Sequence, residues 1–266
     1  MQPTIGIRPN PKSASPDLRL RFTAAPEALH SPVASVALHI APGLVTGAIY
    51  LALRQPVAAI GYPSLVALNL AILIGLVPTA VGILLYSGYR QNGRVSLHGV
   101  LRFRERMPFG KFVVYVAVVF GASLVLISLV GERFISPLLQ TTLFSWMPTV
   151  DWGLAGGYSK PVLVASYALV AIASTICEPV IEELYFRGFL LPRMGYSGRW
   201  TAPLHSLLYA LFHVWYPWRL VTLAVGMTPL VYAVRRSKNI YVGLAVHLML
   251  DSSYLFLGVV YILGMR

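Results

Sequence analysis

Residues 161–191 read PVLVASYALVAIASTICEPVIEELYFRGFLL, an apolar stretch that carries the three glutamates Glu178, Glu182 and Glu183. A helix of about 20 residues crosses the roughly 30 Å hydrocarbon core of a bilayer, so this stretch is long enough to span one. The rest of the chain has the same character, because 57% of its 266 residues are hydrophobic and 11% are charged. Soluble domains carry about 25% charged residues. The composition therefore argues against a soluble enzyme, a disordered chain or a nucleic-acid-binding module, and predicts an all-α polytopic membrane protein.

Six further apolar runs accompany this stretch, so we predict seven membrane spans. They are, in chain order, 33–53, 63–86, 112–130, 161–191, 201–215, 220–234 and 240–263. The fifth and sixth are short, and an eighth short or re-entrant helix fits within 134–146. Residues 1–32 are rich in proline, serine and charge, which predicts a flexible cytosolic tail. Residues 33–266 are then expected to form a bundle of about seven to eight transmembrane helices.

The cations indicate how this bundle is oriented. With the N-terminus in the cytosol, 16 of the 21 lysines and arginines fall in cytosolic segments and five fall on the other side. Such a bias sets the orientation of membrane proteins. We therefore expect a multi-pass protein of the cell membrane with a cytosolic N-terminus. The single cysteine, Cys177, excludes an intramolecular disulfide.

Four of the nine acids lie inside the predicted spans: Glu178, Glu182, Glu183 and Asp251. His213 and His247 also lie inside spans, and these six side chains fall on the fourth, fifth and seventh. An ionisable group at membrane depth costs about 2.5–3.5 kcal/mol on insertion scales and is by default a functional candidate. Helical rise places the groups between the inner third and the middle of the membrane. We therefore expect a site between these three spans.

Helical spacing groups these side chains further, because residues four apart share a face. Glu183 can pair with Arg187, Tyr209 shares a face with His213, and His247 shares one with Asp251. Carboxylates beside imidazoles are suited to general acid/base chemistry. His30, His39 and His98 lie outside this group and are expected at the surface or the membrane interface. His205 either lines the site or is a packing residue.

Three motifs in residues 161–254 resemble those of the CAAX-protease and bacteriocin-processing family (CPBP, or Abi). These intramembrane glutamic endopeptidases include the type II CAAX prenyl endopeptidases. The string from Glu178 to Gly188, EPVIEELYFRG, is similar to the motif Glu-Glu-x-x-x-Arg. The string YALFH at 209–213 approximates Phe-x-x-x-His, and HLMLD at 247–251 approximates His-x-x-x-Asn.

The resemblance implies a role for each of these residues. Glu182 would activate water as the general base, and His213 would help to hold that water. His247 and Asp251 would occupy the positions that stabilise the oxyanion. The supporting residues would be Glu183, Arg187, Tyr209 and Glu178. The implied substrate is a membrane-bound or lipidated peptide or protein, cut near its C-terminus.

Two residues depart from the family's pattern. Tyr209 replaces phenylalanine, which keeps the ring and adds a hydroxyl group. Asp251 replaces asparagine, and an ionised carboxylate repels an oxyanion where an amide would donate to it. Our hypothesis is that Asp251 is protonated or paired with His247, and that activity therefore depends on pH.

Other functions remain open at this point. Intramembrane carboxylates and histidines also relay protons in transporters, so a proton-coupled carrier is one alternative. A catalytically silent immunity or scaffold protein is another, because of Asp251. We expect no cofactor and no metal, although one glutamate and two histidines also resemble a zinc set. The partners expected are the lipid bilayer and a membrane-associated substrate, and not nucleic acid.

Overall fold

The computed structural model describes residues 29–265, and over that range the chain is helical apart from its connections. Residues 1–28, most of the predicted tail, lie outside the described residues, and so does Arg266. The helices, in chain order, are α1 (Pro32–Ala59), α2 (Ser64–Asn92), α3 (Phe109–Thr142), α4 (Lys160–Arg193), α5 (Thr201–Phe212), α6 (Leu220–Gly226), α7 (Thr228–Ser237) and α8 (Ile240–Gly264). This confirms an all-α polytopic membrane protein.

Five of the described helices, α1 to α4 and α8, are long and apolar enough to cross a membrane. The segment Pro217–Gly226 and α7 meet at a bend of 41° and give a sixth candidate if they are counted together. Helix α5 has 12 residues, about 18 Å at 1.5 Å per residue, which is shorter than the hydrocarbon core. The predicted count of seven to eight spans is therefore not confirmed. The proposed eighth helix within 134–146 is the end of α3, which continues to Thr142.

The long helices carry large apolar side chains that the described chain does not cover. On α3, Val114, Val118, Val125 and Leu129 are between 49% and 65% exposed and follow one another at helical spacing. Contiguous apolar surface of this kind marks a contact with lipid or with a partner. Together with the lengths of the helices, this face is consistent with a multi-pass membrane protein.

Small residues bring the helices close together around the site. Helix α1 packs against α2 and α5, and Gly43 of α1 lies against the backbone carbonyl of Phe212. Helix α8 packs against α3, α4 and α7, and its Gly258 lies against the ring of Tyr167 on α4. Such close approach through glycine is typical of helix crossings in membranes.

The start of α4 and the end of α8 lie at the same end of the bundle. Lys160 Nζ donates a hydrogen bond of 2.9 Å to the backbone carbonyl of Met265. In the orientation predicted from the cations, this end faces away from the cytosol.

That orientation can be tested with two single cysteines in a Cys177→Ser background. Thr149, between α3 and α4, and Val95, between α2 and α3, are both exposed. We expect a membrane-impermeant maleimide to label Thr149→Cys in intact cells, and to label Val95→Cys only after the membrane is permeabilised. The reverse pattern would overturn the predicted cytosolic N-terminus.

Candidate active site

The backbone around the glutamates of α4 alternates between two helical forms. A short α-helical segment, Glu178–Glu182, lies between π-helical segments at Ala173–Cys177 and Glu183–Leu190. A π-helical turn admits an extra residue, and such turns occur frequently at functional sites. Pro179 directly follows the first π-helical segment, and proline, which has no N–H to donate, is accommodated where the regular hydrogen-bond ladder of a helix is interrupted.

Glu182 is a buried carboxylate that faces both His213 and His247. Its residue is 1% exposed, and its Oε2 accepts a hydrogen bond of 2.6 Å from the Tyr209 hydroxyl. Its Oε1 makes no hydrogen bond within the described residues and lies 4.0 Å from Nε2 of His213. The distance from its Oε2 to Nε2 of His247 is 3.8 Å. One oxygen of Glu182 is thus fixed, and the other remains available.

Both imidazoles present Nε2 to Glu182 because their Nδ1 atoms are occupied elsewhere. His213 Nδ1 is 3.0 Å from the backbone carbonyl of Tyr209, and His247 Nδ1 is 3.0 Å from Oε1 of Glu183. A carbonyl or carboxylate oxygen accepts hydrogen bonds, so Nδ1 is the donor in each ring. The second bond of each histidine therefore fixes which nitrogen faces the site.

Glu183 and Arg187 form a buried ion pair beneath these groups. Arg187 Nη1 lies 3.3 Å from Glu183 Oε1, and both side chains are at most 1% exposed. The guanidinium also lies over the ring of Tyr209, with 4.1 Å between Cζ and the ring centroid. A buried pair of this kind is costly to break, because either partner alone would be an uncompensated charge. The pair thus supports both His247 and Tyr209.

Asp251 and Glu178 complete the predicted set. Asp251 Oδ2 lies 3.6 Å from His247 Nε2, and its side chain is 25% exposed. Glu178 lies one turn before Glu182. Glu178, Glu182 and His213 each offer one atom that could bind a metal ion, and these three atoms all lie within 4.8 Å of one another. Two carboxylates and an imidazole are ligand types that zinc accepts. The residues that could hold a metal therefore differ from the expected glutamate and two histidines.

These side chains line an internal cavity of about 100 Å³. A water molecule needs about 10–15 Å³ of such volume, so the cavity has room for several. The structure brings all the predicted catalytic residues to its wall, while Glu183 and Arg187 lie behind it; their roles in catalysis stay predictions. The polar lining is Ser174, Thr175, Glu178, Glu182, Tyr209, His213, Tyr216, Arg219, His247, Asp251 and Tyr254.

Two further spaces adjoin this site cavity. A vestibule of about 420 Å³ shares Trp152, Tyr216, Arg219 and Tyr254 with it. An apolar groove of about 600 Å³ between α3 and α8 shares Ile127, Leu250 and Tyr254 with it. The vestibule lies towards the Lys160 end of α4, because Thr149, Leu154 and Tyr167 line it.

The connection between α3 and α4 forms part of the vestibule wall and is held by Asp151. Its carboxylate accepts hydrogen bonds from the Gly153 amide (2.8 Å) and the Tyr158 hydroxyl (2.6 Å). The bond from Tyr158 to this carboxylate stabilises the neutral phenol and raises the pKa of Tyr158 to about 12. Asp151 therefore fixes this part of the connection.

Several residues around the site were not predicted from the sequence. Arg219, Tyr216 and Tyr254 belong to none of the three motifs. His39 was expected at the surface or interface, which is wrong: it is fully buried, and its Nε2 lies 3.0 Å from Nδ1 of His205. Both rings contact Phe186, so this pair packs behind the site.

A comparison with protein families matches residues 164–253 to the model "Type II CAAX prenyl endopeptidase Rce1-like". The match covers about a third of the chain and includes all three motifs. The match agrees with the family resemblance drawn from those motifs, and at the level of that family it indicates a membrane protease acting on membrane-associated protein. Comparisons with curated proteins and with solved structures give no match.

Gly243 offers a test of the network around Glu183. A Cβ atom at Gly243 would collide with the Glu183 carboxylate and crowd a methyl group of Val234. We expect Gly243→Ala to destabilise the protein by about 1–3 kcal/mol, as overpacking does, measured by thermal unfolding in detergent. In the matched control Gly121→Ala the added Cβ meets open space and should not destabilise. Equal stability of the two variants would contradict this account.

Proposed function

We propose that the protein is an intramembrane endopeptidase in which Glu182 activates water, with a membrane-bound or lipidated peptide as its substrate. The observation that carries this proposal is the 4.0 Å separation between Glu182 Oε1 and His213 Nε2. It is too long for a direct hydrogen bond, and a water molecule can bridge two polar atoms at this separation. Glu182 Oε1 has no other hydrogen-bond partner within the described residues.

The proposed reaction uses both oxygens of Glu182. Tyr209 holds Oε2, which keeps Oε1 directed at the water. Oε1 takes a proton from that water as its oxygen attacks the scissile carbonyl carbon, and the carbonyl oxygen becomes an oxyanion. Glu182 then returns the proton to the leaving amine as the carbon–nitrogen bond breaks. No cofactor is needed for these steps.

The oxyanion needs a donor, and His247 is the proposed one. Glu183 accepts from His247 Nδ1, which stabilises the doubly protonated ring in the way that a carboxylate supports a catalytic histidine. Nε2–H of that ring can then donate to the oxyanion. Arg187, paired with Glu183, holds this carboxylate in place.

The surroundings of the cavity favour a substrate presented from the membrane. The groove between α3 and α8 is lined by apolar side chains such as Phe120, Leu124 and Leu257. It gives an apolar segment or a lipid chain a place beside the site cavity. A proton-coupled carrier is supported by no observation beyond the buried acids.

The central test is cleavage by the purified full chain in liposomes. The probe is a fluorogenic peptide ending in S-farnesylcysteine and three apolar residues, the substrate form that the family name describes. General-base catalysis contributes about 10²–10⁴-fold, so we expect Glu182→Gln to lower kcat by at least about 100-fold. The exposed Glu105, paired with Lys238, supplies the control Glu105→Gln, which should remain active.

Two results would overturn parts of this proposal. An undiminished rate in Glu182→Gln would exclude Glu182 as the base. Inactivation by a chelator, reversed by added zinc, would replace the glutamate-activated water with a metal-activated one held by Glu178, Glu182 and His213.

The role of Asp251 can be determined from the pH profile of kcat. If Asp251 must be protonated, raising the pH ionises it and repels the oxyanion, so activity falls on the alkaline side. Asp251→Asn cannot ionise, and we expect its alkaline limb to move to higher pH. A move to lower pH would instead indicate that ionised Asp251 supports the protonated His247. An unchanged rate and profile would refute both versions of the hypothesis.

A further inference from the structure

Arg219 lines both the site cavity and the vestibule. Its Nε donates a hydrogen bond of 2.7 Å to Oε1 of Glu132 on α3. Its Nη2 donates one of 3.3 Å to the hydroxyl of Tyr254 on α8. The side chain of Arg219 is 16% exposed and that of Glu132 is 35% exposed. The more exposed partner of this pair is therefore the carboxylate.

The reaction proposed for Glu182 makes no use of Arg219. Its side chain is mostly buried, and a buried charge must be paired or hydrogen-bonded. The guanidinium has five N–H donors in a planar fork that matches a carboxylate in two parallel hydrogen bonds. The two hydrogen bonds to Glu132 and Tyr254 engage two of these donors. The remaining N–H donors of Arg219 are available to a second carboxylate.

Glu132 is suited to yield its position to such a carboxylate. It lies in the π-helical part of α3, Val125–Ile135, and its side chain lines the vestibule. About a third of the Glu132 side chain is exposed, so water can solvate its carboxylate when another carboxylate takes its place. A carboxylate in the vestibule can therefore reach Arg219, which also lines the site cavity.

We propose that Arg219 binds a carboxylate group of the substrate in exchange for Glu132, and so selects the peptide bond that reaches Glu182. This inference rests on the proposed function and adds a specificity-determining residue to it. A C-terminal carboxylate held there would place the cut close to the end of the peptide. An aspartate or glutamate side chain offers the same chemistry, and the experiment separates the two sources.

The experiment compares three farnesylated peptides that differ only at the C-terminus: a free acid, its amide, and an amide whose last residue is glutamate. We expect the wild-type chain in liposomes to cleave the free acid with a kcat/KM about 10- to 100-fold above that of the plain amide, the range for a hydrogen-bonded charge. If the glutamate amide matches the free acid, the recognised group includes a side-chain carboxylate. Equal rates for all three would overturn the proposal.

Two variants separate recognition from a structural role of the ion pair. Arg219→Gln should lower kcat/KM for the acid by about 10- to 100-fold more than it lowers kcat/KM for the plain amide. Glu132→Gln removes the competing carboxylate, so it should lower KM for the acid. If the pair were merely structural, both variants would impair all peptides alike, which would refute the proposal.

Binding to the Glu182→Gln variant distinguishes this inference from the proposed function. We expect that variant to bind the acid more tightly than the amide, in fluorescence anisotropy with the same peptides. Acid-selective binding without any cleavage by the wild-type chain would refute the peptidase and retain Arg219 as a carboxylate receptor. Cleavage without acid selectivity would support the peptidase and refute Arg219 as a carboxylate receptor.

Discussion

The carboxylate of Glu183 is the point on which the arrangement of the site depends. It pairs with Arg187, accepts a hydrogen bond from His247, and lies against Gly243 of α8. A carboxylate this deeply buried is tolerated only when it is paired and hydrogen-bonded. Because its partners come from α4 and α8, satisfying this one charge fixes the rotation and depth of both helices. The position of His247 beside Glu182 follows from it.

Adjacent glutamates in one helix point in directions about 100° apart, and here the two side chains contact different partners. Glu183 is directed at α8 and its own Arg187, whereas Glu182 is directed at Tyr209 and the cavity. The change from α-helical to π-helical backbone falls between these two residues. Local widening of a helix alters which side chains share a face. The four-residue spacing used for α-helices therefore describes this region only approximately.

The helices and the convergence of the three motifs could be predicted from the sequence, because long apolar runs and charged residues within them are strong signals in a membrane protein. Contacts between segments that are distant in the sequence could not be predicted. Nothing in the sequence indicates that Arg219 would reach Glu132 on α3, or that His39 would pair with His205. The hydroxyl of Tyr209 was recognised as a departure, but its bond to Glu182 needed the relative position of α4 and α5. The short α5 was counted as a span because composition alone does not measure the depth at which a helix ends.

The charges around the site do not balance, and this constrains its chemistry. Two arginines face five acids: Glu132, Glu178, Glu182, Glu183 and Asp251. In a low dielectric, like charges this close cannot all be ionised. Protons on carboxyl groups or on the two histidines, or a bound cation, must supply the missing positive charge. The proposed mechanism places one proton on His247 and lets Glu182 gain another during the reaction, and one version of the Asp251 hypothesis places a further proton on Asp251. The excess of acids can therefore hold protons beside the scissile bond, and among the described residues that line the vestibule Arg219 is the cation available to an arriving carboxylate.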